Sequence, residues 1–215
     1  MKRIGVILCG QNFSDKNEIQ EAKLVLNALE KWGAAAVFLT FLQAQNDDNE
    51  GFYKGVAEDE KRGLTPLTGL TSYPLSDISE IEKFMPEALI ILSAKSVPVY
   101  FKTKENSDEM PPESAGYMDL LKKIHKENIT IGLVEKSAIL APLLVGGPVR
   151  VTLGNDPDSA ELIEELGGEA VICPADDIVI DDEQHIMTTP GFLAGGTVEE
   201  ISQGIDKLVT RILGE

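Results

Sequence analysis

The chain has 215 residues, of which 43% are hydrophobic and 26% are charged, a composition typical of one globular domain with a sizeable core. Its 36 acidic and 19 basic residues give a formal charge of −17. Such a charge repels nucleic acids and anionic membrane surfaces, so we expect neither as a partner. The apolar run at residues 4–9 is interrupted by Gly5 and is too short for a signal-peptide core or a membrane span, and we therefore expect a cytoplasmic protein.

Apolar segments with the period of strands alternate along the chain with segments that have the period of helices. The predicted strands are at residues 3–9, 34–42, 88–94, 129–134, 149–153 and 169–173. The predicted helices are at residues 17–32, 78–84, 114–128, 138–145, 159–166 and 197–213. A hairpin is predicted late in the chain, at residues 178–180 and 185–189. This alternation is typical of a mostly parallel sheet with helices on both faces.

One long segment, residues 43–77, shows no sustained period and is too long for a simple connection. It is rich in Asn, Asp, Gly, Thr and Pro. We interpret it as an irregular excursion from the domain. A lid, a dimer contact and an acidic surface loop are all compatible with its composition.

The most informative stretch is residues 129–142, in which a buried strand runs directly into a helix. Glu135 stands at the junction, where a buried charge is costly unless it is paired. A strand followed at once by a helix places such a residue near backbone N–H groups and the positive end of the helix dipole, which favours an anion. The alternative is structural, since Glu135 could cap the helix or pair with Lys136 or Lys95 at a solvated strand end.

In open α/β sheets the functional site lies beyond the carboxyl ends of the strands. This rule selects residues 9–12, 93–96, 135–137 and 154–156. No phosphate-binding glycine motif follows any strand, so we expect no nucleotide cofactor. Ser137 lacks the Gly-x-Ser-x-Gly context of a hydrolase nucleophile.

The cysteines and histidines do not form a cluster in the sequence, and we expect no metal site and no cofactor. Cys9 and Cys173 lie far apart in apolar runs and are predicted to be reduced, packed thiols. His125 lies beside lysines on a helix and is predicted to be solvated. His185 is predicted to be a pairing residue of the hairpin.

Several segments together resemble one family. They are residues 2–8 (Lys-Arg-Ile-Gly-Val-Ile-Leu), 18–22 (Glu-Ile-Gln-Glu-Ala), 151–158 (Val-Thr-Leu-Gly-Asn-Asp-Pro-Asp), 173–181 (Cys-Pro-Ala-Asp-Asp-Ile-Val-Ile-Asp) and 188–190 (Thr-Thr-Pro). The chain resembles the ElbB-like (enhancing lycopene biosynthesis, or isoprenoid biosynthesis glyoxalase) proteins of the ThiJ/PfpI superfamily. The resemblance is weakest in residues 43–113. It implies a single class I glutamine amidotransferase-like domain over residues 1–215, a three-layer α/β/α fold with a flavodoxin-like sheet, and a homodimer.

In that family a reactive cysteine stands on the strand-to-helix elbow, a glutamate of the first helix hydrogen-bonds to it, and a Pro-Gly-Gly turn supplies oxyanion donors. In this chain the resemblance places the glutamate at Glu18 and the elbow position at Glu135. Residues 92–94, Leu-Ser-Ala, replace the Pro-Gly-Gly turn, and Cys9 falls on a neighbouring strand end. We therefore expect no cysteine-dependent glyoxalase, peptidase or amidotransferase activity.

The remaining candidate site residues are Glu18 and Glu135. If the two carboxylates share a pocket, their like charges should raise one pKa. One hypothesis is a non-catalytic dimeric protein that binds a small molecule or regulates. The second is a glyoxalase-like or hydrolase-like enzyme in which the pair performs acid/base chemistry on a small carbonyl or ester compound. A third is an unrelated ligand-binding role.

Overall fold

The computed structural model describes residues 1–8, 16–40, 75–92 and 112–214. The strands are β1 Arg3–Leu8, β2 Ala35–Thr40, β3 Leu75–Asp77, β4 Ala88–Leu92, β5 Thr130–Val134, β6 Arg150–Val151, β7 Glu169–Ala170, β8 Val179–Asp181 and β9 Ile186–Thr189. The helices are α1 Lys16–Lys31, α2 Ile81–Phe84, α3 Pro112–Lys126, α4 Leu140–Val145, α5 Pro157–Glu165 and α6 Val198–Leu213. Short 3-10 turns span Ile78–Glu80, Glu135–Ile139 and Gly191–Ala194. The predicted excursion at residues 43–77 lies outside the described residues as far as residue 74, as do Cys9 and Lys95.

The main sheet has the strand order β3-β2-β1-β4-β5-β9-β8. All neighbouring pairs are parallel except β8 and β9, which form the predicted late hairpin. The chain therefore winds outward from β1 in both directions, and the carboxyl ends of the parallel strands lie along one edge. The predicted mostly parallel, flavodoxin-like sheet is confirmed.

The sheet is covered on both faces. On one face α1 and α6 pack against strand residues such as Ile4, Val6 and Ile90. On the other face α2, α3, α4 and α5 pack against the alternate strand residues, among them Ile7 and Ile91. Because successive side chains of a strand point to opposite faces, uniformly apolar strands are what two covered faces require. The three-layer α/β/α architecture is confirmed.

The strand predicted at residues 149–153 is shorter in the structure and lies in another sheet. Only β6 forms, and it pairs with β7 in a separate two-stranded sheet, while β9 takes the position next to β5 in the main sheet. Beyond β6, two backbone N–H groups form hydrogen bonds with side-chain hydroxyls. Thr152 N–H donates to Thr188 Oγ1 at 3.0 Å, and Gly154 N–H donates to Thr152 Oγ1 at 2.9 Å. These bonds replace a strand ladder, so the strand ends early.

The predicted helix boundaries agree with the caps in the structure. Asp156 caps α5, and Pro157 is its first residue. Thr197 and Glu200 form a capping box at the start of α6. Gly146, with φ +69°, ends α4 in the left-handed conformation. Within the described ranges, no helix is long and apolar enough to cross a membrane.

Candidate functional site

The junction between β5 and the following helical segment is a tight elbow at Glu135. Val134 is still extended, with φ −109° and ψ 128°, and Glu135 then has φ +58°. A residue with a side chain rarely adopts this left-handed conformation. Val134 is fully buried and Glu135 is half-buried. The structure therefore confirms that Glu135 stands at a sharp strand-to-helix junction, where the backbone presents its side chain at the carboxyl edge of the sheet.

Ser137 fixes the elbow to the sheet. Its hydroxyl is fully buried and lies 2.8 Å from both Ile91 O and Val134 O, so its one hydrogen is shared between two carbonyl oxygens. These carbonyls belong to the ends of β4 and β5. Ser137 thus has a structural role, in agreement with the absence of a hydrolase motif around it.

The end of β9 lies beside the elbow. Val134 pairs with Thr189 across the parallel ladder, so the two chain segments leave the sheet next to each other. Gly191 follows, with φ +54°, and begins a 3-10 turn. A Cβ atom at Gly191 would overlap Glu21 Oε1 and would lie 3.5 Å from Glu135 Cβ. Gly191 is therefore the point at which helix α1, the elbow and the end of β9 meet.

Glu21 is a second carboxylate at this point, and it was not among the predicted site residues. Only 1% of Glu21 is exposed, and its Oε1 accepts a hydrogen bond from Phe192 N–H at 3.4 Å. A signal was present in the sequence, because Glu21 precedes Val25 by four residues and so lies on the buried stripe of α1. A carboxylate on a buried stripe is costly unless it is paired or functional.

The predicted partner of the elbow, Glu18, lies one helical turn before Glu21 in α1. Residues three apart share a side of a helix, so the two glutamates are neighbours on α1. The side chain of Glu18 lies outside the described residues, and its pairing with Glu135 stays a prediction.

The remaining titratable candidates belong to structural contacts. His125 is half-buried and its Nε2 lies 2.7 Å from Gln184 O, so the expectation of a solvated ring was wrong: the ring joins α3 to the hairpin turn. His185 occupies that turn with φ +52°, and its carbonyl accepts from Ile131 N–H, as expected of a pairing residue.

Cys173 is a buried free thiol, as predicted. Burial, and to a smaller extent the negative charge of Asp177, raise its pKa to about 11. Because the thiolate is the reactive form, Cys173 is unreactive at neutral pH. The described residues therefore supply no activated thiol, while Cys9 lies outside them.

Residues 154–156 form a helix cap. The Asp156 carboxylate accepts from Ser159 N–H at 2.9 Å, and hydrogen bonds from Ser159 hold the Asp156 pKa below its usual range. Gly154, with φ +93°, packs directly on Ala194 of the turn beside the elbow. In the described ranges, no three His, Cys, Asp or Glu side chains converge in a way that could hold a metal ion.

Comparison with known proteins supports this architecture. No family model matches the chain. The human mitochondrial glutamine amidotransferase-like class 1 domain-containing protein 3 is 23% identical over 224 residues, which cover 98% of this chain and 82% of that protein.

Solved structures that share the fold include the following two. An isoprenoid biosynthesis protein with an amidotransferase-like domain from Ehrlichia chaffeensis has a TM-score of 0.74 at 22% identity, covering 100% of this chain and 99% of that one. Glyoxalase III from Candida albicans has a TM-score of 0.60 at 11% identity, with coverage of 99% and 96%.

The fold of this chain is that of the class I glutamine amidotransferase-like and ThiJ/PfpI proteins. In this fold Glu135 occupies the elbow after β5, and Glu21 approaches it from α1.

Proposed function

We propose that the protein is a non-catalytic relative of the ElbB-like proteins that acts as a dimeric binding or regulatory protein. The observation that carries this proposal is the left-handed backbone of Glu135, with φ +58°. This elbow stands where the resemblance implies a reactive cysteine, and its side chain here is a carboxylate and not a thiol. A cytoplasmic location, a homodimer and a small-molecule ligand belong to the same proposal.

The chemistry of the elbow supports binding. An ionised carboxylate is a hydrogen-bond acceptor, and it resembles in charge and shape the oxidised cysteine that an elbow thiol can form. Glu135 is half-buried and so remains accessible to a ligand, whereas Glu21 lies almost fully buried beside it. Glu135 would therefore offer carboxylate oxygens that receive donor groups of a ligand. The similarity to a protein described as acting in isoprenoid biosynthesis suggests that pathway as the place to look for ligands.

Turnover of methylglyoxal by the purified protein tests the proposal. We expect no turnover above the buffer rate, either for the wild type or for Glu135→Gln. The matched control is Glu183→Gln, which removes one exposed carboxylate from the remote hairpin turn. Measurable wild-type turnover that Glu135→Gln abolishes and Glu183→Gln leaves intact would overturn the proposal.

A second candidate function is acid/base catalysis on a small carbonyl compound by a pair of glutamates. The observation that favours it is the meeting of Glu21 and Glu135 at Gly191. Two neighbouring carboxylates raise one of their pKa values, which would provide one acid and one base. The predicted pair was Glu18 and Glu135, and the structure adds Glu21. The fold shared with glyoxalase III is compatible with this function.

Substitutions of Glu21 and Glu18 test this second candidate and show which of the two glutamates takes part. If the pair acts in catalysis, Glu21→Gln or Glu18→Gln should strongly reduce turnover, and the residual activity should lack one limb of a bell-shaped pH–rate profile. Unchanged turnover in both variants, or no activity with any small aldehyde, would contradict it.

A further inference from the structure

A cavity lies at the opposite edge of the sheet from Glu135. It has a volume of about 540 Å³ and is formed where α2 leads into β4 and where α3 leads into β5. Those connections lie at the amino ends of the strands, whereas the elbow lies at the carboxyl ends. The volume falls within the range of roughly 300 to 1,000 Å³ that is usual for small-molecule sites.

The wall of this cavity is mainly apolar. Ile81 and Ile124 form its buried part, with 2% and 8% exposure, and Pro86 and Ile129 extend it. Met85 lies at the surface of the cavity and is 68% exposed. An apolar cavity with a flexible thioether at its surface suits the apolar body of a ligand, because methionine adapts to irregular shapes.

The backbone of Met85 is also unusual. It has φ +47° and ψ 59°, which is the left-handed conformation that glycine or asparagine adopts more readily at the end of a helix. Such a conformation is disfavoured for a residue with a side chain. The fold thus retains an exposed, strained methionine at the cavity, where a glycine would be less strained.

The charged side chains that line the cavity indicate which charge a ligand would carry. Lys123 and Glu82 join α3 to α2 through an ion pair of 2.5 Å, and this hydrogen bond lowers the pKa of Glu82 and raises that of Lys123. Glu127 also lines the cavity and acts electrostatically on the same Lys123. Two carboxylates therefore face one ammonium group, and the charged side chains that line the cavity carry a net negative charge.

We propose that this cavity binds a small amphiphilic cation, namely an amine with an apolar alkyl or aryl body. The body would lie against Ile81, Ile124 and Ile129 beneath Met85, and the ammonium group would lie at Glu127. The site is separate from the elbow and does not depend on the function proposed for Glu135. The overall charge of −17 also favours a cationic ligand over an anionic one.

Titration of the full chain with 2-phenylethylammonium, followed by NMR of the methionine and isoleucine methyl groups, tests this site. We expect saturable shifts of the Met85, Ile124 and Ile129 methyls and none at Ile172, which is 81% exposed far along the chain and reports non-specific binding. The comparison ligand is 3-phenylpropionate, which has a similar body and the opposite charge. We expect it to bind at least tenfold more weakly.

Surface variants complete the test, because they leave the buried wall unchanged. Glu127→Gln should weaken binding of 2-phenylethylammonium about threefold at low salt, as expected for one exposed charge, and Glu127→Lys should weaken it further. The matched control, Glu199→Gln, removes one exposed carboxylate at the start of α6, at the opposite edge of the sheet, and should bind as the wild type does. The site is overturned by an absence of saturable shifts, by equal affinity for 3-phenylpropionate, by equal shifts at Ile172, or by undiminished binding in Glu127→Lys.

Discussion

At the scale of single residues, the elbow depends on a backbone conformation that its own side chain disfavours. Glu135 at φ +58° carries a cost of about 1 to 2 kcal/mol. Neighbouring contacts offset it: Ser137 bonds to the ends of two strands, and the Val134–Thr189 pairing holds the chain up to the elbow. Gly191 completes the arrangement, because its missing side chain leaves the space into which Glu21 reaches.

The close approach at Gly191 predicts a specific loss of stability. In Gly191→Ala the new methyl group would overlap Glu21 Oε1 and would also stand at φ +54°. We expect a loss of about 2 to 4 kcal/mol in the free energy of unfolding, part from the left-handed backbone and part from displacing a buried carboxylate. Urea unfolding of the purified variants measures it.

A glycine at the end of α4 provides the control for this prediction. Gly146 has φ +69° and ψ 25°, and a methyl group added there would meet no atom within 4 Å, so Gly146→Ala isolates the cost of the left-handed backbone, which is about 1 kcal/mol. The double variant Glu21→Ala with Gly191→Ala should show a coupling energy, because the shorter side chain removes the overlap. Equal losses for Gly191→Ala and Gly146→Ala would show that Glu21 does not approach this turn.

At the scale of helices and strands, most elements were predictable because their signals are local. The stripe of α1 and the capping box of α6 lie within a few consecutive residues. The end of β6 was not predictable, because it depends on the Thr188 hydroxyl, which lies 36 residues from Thr152 along the chain. The residues of the candidate site show the same contrast between local and long-range signals. The junction at Glu135 was visible in its own strand and helix, but the position of Glu21 depends on a turn 171 residues away.

The capping box of α6 predicts a pH-dependent contribution to stability. Thr197 N–H donates to Glu200 Oε2 at 2.7 Å, and the hydrogen bonds from Thr197 lower the Glu200 pKa from its usual value of 4.5. A lowered pKa in the folded state means that the ionised form stabilises the fold. Glu200→Gln should therefore reduce the free energy of unfolding at neutral pH, and this difference should decrease as the pH falls below about 4.5.

Two further variants separate the cap from the charge of the first turn. Thr197→Ala removes the side-chain acceptor and should cost about 1 kcal/mol. Glu199→Gln removes a carboxylate from the same turn of α6 but outside the capping box, so it reports only the interaction with the helix dipole. If Glu199→Gln and Glu200→Gln have equal effects at every pH, the box itself contributes nothing. Chemical unfolding between about pH 3.5 and pH 7 gives the comparison.

At the scale of the whole molecule, the charge of −17 opposes the compact state. Described ion pairs such as Lys31–Asp206, at 2.9 Å, are largely exposed, and pairs of this kind contribute only about 0 to 1 kcal/mol each. Salt screens both the general repulsion and these attractions. Because the acidic residues greatly outnumber the basic ones, we expect the loss of repulsion to have the larger effect.

Added sodium chloride should therefore stabilise the protein at neutral pH. Raising its concentration from about 10 to 200 mM shortens the screening length to below about 10 Å, and a gain of about 1 kcal/mol would raise the Tm by roughly 2 to 4 °C for a chain of this length. The control is the same pair of salt concentrations near the isoelectric point of 4.5, where the net charge is small and the rise should disappear or reverse. Calorimetric scans at the two pH values measure both effects. An equal rise at both would assign the effect to salt-dependent hydration and not to the charge of the fold.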